Sequence, residues 1–271
     1  MKKVRSKDGT EIAIDVVGSG APVVLVDGAM CRRAFGPMPD LAKLLASKHT
    51  VLYYDRRGRG DSGDTPPYAL DREIEDLAAV CRSAGEVPCL FGSSSGAALA
   101  ARAVGKGMPA AKLALWEPPF ILDGTHTPDP PDFQDRIRAS IAAGKPNDAV
   151  KQFMRAVGVP SIGIFFMRLM PNVWPKLRDI AHTLPNDFAA LGDTQRGGAL
   201  PAEWRELLGA IRVPARVLVG GKSPPWMHHA NEVVTTAIPG ATSGVLPGQM
   251  HNVAAKAIAP ELLNFFASGA N

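Results

Sequence analysis

The sequence predicts an α/β fold: a mostly parallel central sheet flanked by helices, interrupted by a long helical insertion. Two observations carry this reading. Short β-branched runs alternate with helix-length stretches over the first 117 residues, and the alternation resumes after residue 214 once a stretch lacking strand signals has passed. Strands alternating with helices of this length imply βαβ crossovers, and such crossovers join parallel strands. At 271 residues, the chain is long enough for one large domain carrying an insertion.

The elements follow in order. Glu11–Val17, with Glu11 and Asp15 among apolar residues, reads as a half-exposed strand, whereas Pro22–Val26 is apolar throughout and reads as a buried one. Residues 40–47 read as a helix and Thr50–Tyr54 as the next strand. Over 71–84, Ile74, Leu77, Ala78 and Cys81 fall at helical spacing behind an acidic first turn. A strand over 88–91, a helix of small residues over Ser95–Gly105 and a strand over 112–116 come next. From 118 to 214 the chain is rich in proline, with helices expected over 132–143, 147–157, 162–170 and 202–211. Strands return at 215–219 and Thr242–Leu246, and an amphipathic helix closes the pattern over 252–267. The expected division is a core of 1–117 and 215–271 with 118–214 inserted.

Composition narrows the function classes. Hydrophobic residues at 46% and charged residues at 21% fit an ordinary globular chain. Lys and Arg are scattered; their densest run, Arg56, Arg57 and Arg59 beside Asp55 and Asp61, reads as a loop feature and offers no stripe for nucleic acid. No apolar stretch follows the basic N-terminus, and no run approaches the roughly 18–20 residues that span a bilayer. Cys31, Cys81 and Cys89 are odd in number and lack metal-ligand spacing, which suits reduced thiols and a cytoplasmic location. No metal and no organic cofactor is expected. Gly58-Arg59-Gly60-Asp61-Ser62-Gly63 matches a dinucleotide fingerprint but runs into Thr65-Pro66-Pro67 instead of a helix.

The chemistry enters at Gly92-Ser93-Ser94-Ser95-Gly96, which lies between an expected strand and an expected helix. G-x-S-x-G in that context describes a sharp turn that lifts its central serine above the sheet, at a helix N-terminus whose free N–H groups favour negative charge. Together with Val23-Val24-Leu25-Val26-Asp27-Gly28, the loop Tyr54-Asp55-Arg56-Arg57-Gly58-Arg59-Gly60-Asp61-Ser62, and Gly248-Gln249-Met250-His251, in that order, it makes the chain resemble the α/β-hydrolase superfamily along nearly its whole length.

The resemblance implies roles. Ser94 is the expected nucleophile. His251, after the last strand, stands where the superfamily keeps its base, and it is the choice among six histidines. His49, His228 and His229 are expected at the surface, with His126 and His182 in the insertion. The resemblance assigns the oxyanion hole to the backbone N–H groups of Ala29 and Ser95. Relatives more often carry histidine before the glycine of the first loop; Asp27 stands there instead, as a brace for the loop or a charge near substrate. Most relatives place an aspartate after the strand at 215–219, but here Gly220-Gly221-Lys222-Ser223-Pro224-Pro225 holds no carboxylate. Some relatives, including certain haloalkane dehalogenases, place the acid after the preceding core strand, which in this chain ends Leu115-Trp116-Glu117. Glu117 is therefore the expected acid; the alternative is that it ties down the strand end and His251 works with water or a carbonyl.

In the superfamily such an insertion caps the nucleophile and supplies much of the substrate pocket. Asp27, Met30, Phe120, Phe166 and Met250 are candidate pocket residues, while Phe133, Phe153, Phe165, Met167, Met170 and Trp174 line the cap or pack it onto the core. A serine nucleophile implies acyl transfer from a small-molecule ester or lactone to water. Carbon–carbon hydrolysis, a non-hydrolytic acyltransferase or cyclase, and a binding protein with a decayed triad are the alternatives. Substrate identity and oligomeric state are not legible.

Overall fold

In the computed structural model, which describes residues 1–267, burial follows the sequence pattern most closely in the continuously apolar strands. Eight strands form one sheet: β1 (Lys2–Arg5), β2 (Glu11–Val17), β3 (Pro22–Val26), β4 (Thr50–Tyr54), β5 (Cys89–Ser93), β6 (Leu113–Trp116), β7 (Ala215–Gly220) and β8 (Thr242–Leu246). Their spatial order is β1-β2-β4-β3-β5-β6-β7-β8. β1 and β2, and β2 and β4, pair antiparallel; every later ladder is parallel. The all-apolar strands β3 and β6 lie inside the sheet, buried on both faces, as parallel strands with helices on either side must be.

Alternate residues of each central strand enter opposite cores. Val24, Val26, Leu90, Leu115 and Val217 face one cluster, and Val23, Leu25, Phe91, Trp116 and Leu218 face the other. The second face is covered by α1 (Met38–Leu45), through Met38, Leu41 and Leu45, and by the C-terminal helix of residues 255–267 through Ile258 and Leu262. The first face holds α2 (Leu70–Arg82) and α3 (Ser95–Gly105). The small residues of α3 permit close approach: a Cβ on Gly105 would stand 2.5 Å from the Leu207 carbonyl oxygen.

The strand-poor stretch supplies α4 (Phe133–Ala142), α5 (Pro146–Ala156), α6 (Ser161–Leu169), α7 (Trp174–Ile180), α8 (Leu184–Leu191) and α9 (Ala202–Ala210). Phe133, Ile137, Val150, Ile164, Trp174, Leu177 and Phe188 form a third cluster, which also takes in Met30 from the loop after β3. Phe120, Leu122, Leu191, Trp204 and Leu208 instead join the cluster around α3, so the two ends of this stretch pack on the sheet layer. α10 (Pro225–Ala237) and α11 (Ala255–Ala267) complete the helices of the described residues.

Three elements escape the sequence reading. β1 is a short, charged edge strand, the kind of edge that resists pairing with another chain and carries little apolar signal. α7 and α8 are brief, each with proline in its first turn, and read only as a helical stretch. Among the described residues, no helix is long and apolar enough to cross a membrane.

Candidate active site

The site is assembled at the carboxyl ends of β5, β6 and β7, where a parallel sheet presents its loops. Between β5 and α3 the chain reverses at Ser94, whose φ of 56° and ψ of −126° lie in a region costly for a side-chain-bearing residue. Sterics dictate the flanks. A Cβ on Gly92 would stand 2.5 Å from the Gly96 carbonyl oxygen, and one on Gly96 would stand 2.3 Å from that of Val26. The turn is pinned by Ser94 N–H donating to the Trp116 carbonyl (2.9 Å), while the Ser94 carbonyl accepts from Ala97 N–H (2.9 Å) to start α3.

Glu117, at the end of β6, also has positive φ (42°) and is 1% exposed. Its N–H donates to the Leu218 carbonyl (3.1 Å). Its Oε1 accepts from Gly220 N–H (2.7 Å) and from the Ser223 hydroxyl (2.5 Å). The loop after β7, which lacks a carboxylate, thus supplies two donors to a carboxylate on the neighbouring strand. The pairing of Ser223 with Glu117 was not legible in the sequence, because the two residues lie 106 positions apart.

His251 closes the constellation. Its Nδ1 lies 2.8 Å from Glu117 Oε2 and its Nε2 lies 3.1 Å from Ser94 Oγ. A carboxylate only accepts, so this geometry places the ring proton on Nδ1 and turns the Nε2 lone pair toward the serine hydroxyl. The ring is held from behind: its backbone carbonyl accepts from the Trp116 indole N–H (2.9 Å). The 220–223 and 246–251 loops are joined by Gly221 N–H to Leu246 O (2.8 Å) and Lys222 N–H to Gln249 O (2.9 Å). A Cβ on Gly220 would stand 2.5 Å from Gln249 O, so the crossing admits only glycine without rearrangement.

Gly28 approaches from the loop after β3, where an added Cβ would stand 2.9 Å from the Ser94 Cβ. That places the next amide, of Ala29, beside the Ser94 turn. Ser95, the first residue of α3, has an N–H without an intrahelical partner. Asp27 turns inward: its Oδ1 accepts from Gly28 N–H (2.9 Å), and a Cβ on Gly36 would stand 2.7 Å from its Oδ2. Burial pushes its carboxyl up to about 6, against the Gly28 hydrogen bond and the charges of Arg59 and Arg56.

The remaining sequence candidates spread out. Met30 is 4% exposed, within the cluster of α4–α8. Phe120 is buried and packs on Trp204, with ring centroids 4.8 Å apart. Phe166 on α6 and Met250 beside His251 are exposed at 59% and 57%. His49, expected at the surface, is buried: its Nδ1 lies 3.0 Å from the Ala21 carbonyl and its ring meets the edge of Phe266. His229 pairs with Asp123 (2.9 Å), and His126 stacks on Trp226. Arg56, Arg57 and Arg59 are buried almost completely, which a run of charges does not announce; the signal lay in the acids Glu73, Asp76 and Asp187 that meet them. Cys81 and Cys89 are core residues, and all three cysteines are free thiols. Among the described residues, no cluster of His, Cys, Asp or Glu is arranged to hold a metal ion.

A model of the alpha/beta hydrolase family matches residues 18–259. An alpha/beta hydrolase from Sphaerobacter thermophilus DSM 20745 is 46% identical, with 98% of this chain and 100% of that chain covered, at a TM-score of 0.89. A thermophilic esterase from Thermogutta terrifontis is 22% identical over 98% of this chain and 97% of that one (TM-score 0.66). The enol-lactonase from Burkholderia xenovorans LB400 is 17% identical over 98% and 100% (TM-score 0.72). The last two likenesses concern the fold alone.

Proposed function

The chain belongs to the alpha/beta hydrolase family, and from that premise we propose that it is a serine hydrolase cleaving a carboxylic ester or lactone of a small molecule. The observation that carries the reading is the continuous hydrogen-bonded path from Ser94 Oγ through His251 to Glu117, at 3.1 and 2.8 Å. A decayed site has no reason to keep all three members in register, nor the strained backbone that presents the serine.

In this reading Ser94 Oγ attacks the acyl carbon as its proton passes to His251 Nε2, and Glu117 stabilises the imidazolium. Charge developing on the carbonyl oxygen is taken by the Ala29 and Ser95 N–H groups. His251 then gives the proton to the leaving alkoxide, and water, activated by the same ring, releases the acid. In a lactone the leaving oxygen stays attached, so ring opening is the same chemistry. Residues 118–214 act as the cap, with Met30 bridging its apolar cluster to the loop beside the nucleophile.

The test is initial-rate hydrolysis of short-chain p-nitrophenyl esters by the wild type and by Ser94→Ala. Turnover that disappears in the variant supports the reading. Wild-type protein that binds but does not turn over any ester or lactone would favour a binding protein instead.

A further inference from the structure

The catalytic path leaves unused a buried ionic group directly behind it. Arg56 and Arg59, from the loop after β4, converge on Asp187 of α8; all three are nearly inaccessible. Arg59 Nη2 donates to Asp187 Oδ1 (2.9 Å) and Oδ2 (2.7 Å), and Arg56 Nη1 donates to Oδ1 (2.7 Å). Burial would raise the Asp187 carboxyl, but the Arg59 and Arg56 guanidiniums overcome it and hold the group below the usual range. Asp187 is therefore a stable anion that links the 118–214 segment to the loops around Ser94.

Two further bonds give this anion a direction. Arg59 Nη1 donates to the Gly28 carbonyl (2.7 Å) and to that of Cys31 (3.2 Å). The Gly28 carbonyl and the Ala29 N–H belong to one peptide group, which is planar and trans. Clamping the oxygen therefore fixes where the N–H points, and a charged donor on the oxygen polarises that N–H further. The second bond runs from the Ser95 hydroxyl to Asp187 Oδ1 (2.7 Å), with Arg56 Nη1 also 3.3 Å from that hydroxyl. Ser95 carries the other N–H that the proposed reading assigns to the oxyanion hole. One carboxylate on α8 thus reaches the residues that carry both donors, one through Arg59 and the Gly28 carbonyl, the other through the Ser95 side chain.

We propose that Asp187 and Arg59 are positioning residues of the oxyanion hole, holding the Ala29 and Ser95 amides in the orientation that the tetrahedral intermediate requires. The assignment rests on the serine-hydrolase reading above. It makes the hole a joint product of the core and the α8 segment, because the core's own backbone supplies the donors while α8 supplies the anion that aims them. Neither residue touches the substrate.

The experiment compares wild type, Asp187→Asn, Ser95→Ala and Arg59→Lys. It measures kcat and KM on a p-nitrophenyl ester and Ki for an alkyl trifluoromethyl ketone, whose adduct with Ser94 carries an oxyanion. Removing one oxyanion donor outright costs about 100- to 1000-fold in kcat, and misaiming a donor costs less. Ser95→Ala, a small change at a helix start, is expected to lower kcat about 10-fold, and Asp187→Asn about 100-fold, with KM changed less than about threefold. The ketone Ki should rise by the same factor as kcat falls, and Arg59→Lys, which keeps a charged donor, should retain more activity than Asp187→Asn. If Asp187→Asn does not fold, Ser95→Ala decides. Variants that melt at lower temperature but keep kcat and ketone affinity would reduce the group to a tie between segments and overturn the proposal. A fall in kcat with unchanged ketone affinity would overturn it too, since the damage would lie in proton transfer. Failure of the underlying reading is distinguishable, because wild type would then neither turn over the ester nor bind the ketone through Ser94.

Discussion

Replacing Glu117 by Gln changes one oxygen to an NH2 group and almost nothing in volume. The structure predicts which way the amide will sit. One position faces two donors, Gly220 N–H at 2.7 Å and the Ser223 hydroxyl at 2.5 Å, so the amide oxygen belongs there. The NH2 then occupies the other position, 2.8 Å from His251 Nδ1, and donates to it. Imidazole must answer by moving its proton to Nε2, which faces Ser94 at 3.1 Å, and the ring loses the lone pair that the proposed mechanism uses to remove the serine proton. The variant also loses the negative charge that stabilises imidazolium. Inverting the tautomer of a triad histidine in this way costs about 10⁴-fold in kcat, equivalent to about 5 kcal/mol of transition-state stabilisation. The assay is kcat on a p-nitrophenyl ester, with circular dichroism and thermal melting to establish that the variant folds. A folded variant retaining kcat within about tenfold of wild type would refute the role of Glu117 and the argument about amide orientation together.

Other outcomes follow from the same geometry. Burial raises the folded-state pKa of Asp27 from its ordinary value of 3.8 to about 6, so between those values the native state binds more protons than the unfolded one and stability falls as pH rises. Asp27→Asn, which keeps the acceptor for Gly28 N–H, should therefore gain on wild type by about 2 kcal/mol between pH 4 and pH 8 in urea unfolding; a pH-independent difference would contradict this. Gly96→Ala forces a Cβ to within 2.3 Å of Val26 O and 2.5 Å of Asp27 O, backbone atoms that cannot swing aside, and should destabilise by about 3 kcal/mol with loss of activity, read by urea midpoint and ester turnover. Trp116→Phe removes the indole donor to the His251 carbonyl and should lower stability by about 1 kcal/mol and kcat several-fold; an unchanged kcat would mean that the ring is held without it.

The parallel core was legible because strands buried on both faces must be continuously apolar, as Pro22–Val26 is, and because a helix able to lie against a backbone must be built from small residues, as Ser95–Gly105 is. The Ser94 turn was legible for a related steric reason: Gly92 and Gly96 stand where no Cβ fits. What sequence could not reveal were pairings set by tertiary distance. Nothing near Ser223 in the chain points to Glu117, and nothing near Asp187 points to Arg56 and Arg59, which reach it from 131 and 128 positions away. The arginine run is a loop feature, as its sequence implied, but its burial was not legible because the counter-charges Asp76, Glu73 and Asp187 arrive from elsewhere in the chain. Phe120 and Phe166 are chemically alike, yet one is buried against Trp204 and the other is exposed on α6; side-chain type alone carried no information about which.

The central claim is that Ser94 is a nucleophile activated through His251. Incubation with an alkyl fluorophosphonate, followed by intact-mass and peptide mass spectrometry, tests it without knowledge of the natural substrate. The account predicts one adduct per chain, on the peptide containing Ser94, absent from Ser94→Ala and formed far more slowly in Glu117→Gln. Folded wild-type protein that forms no adduct, or an adduct that persists in Ser94→Ala, would contradict it.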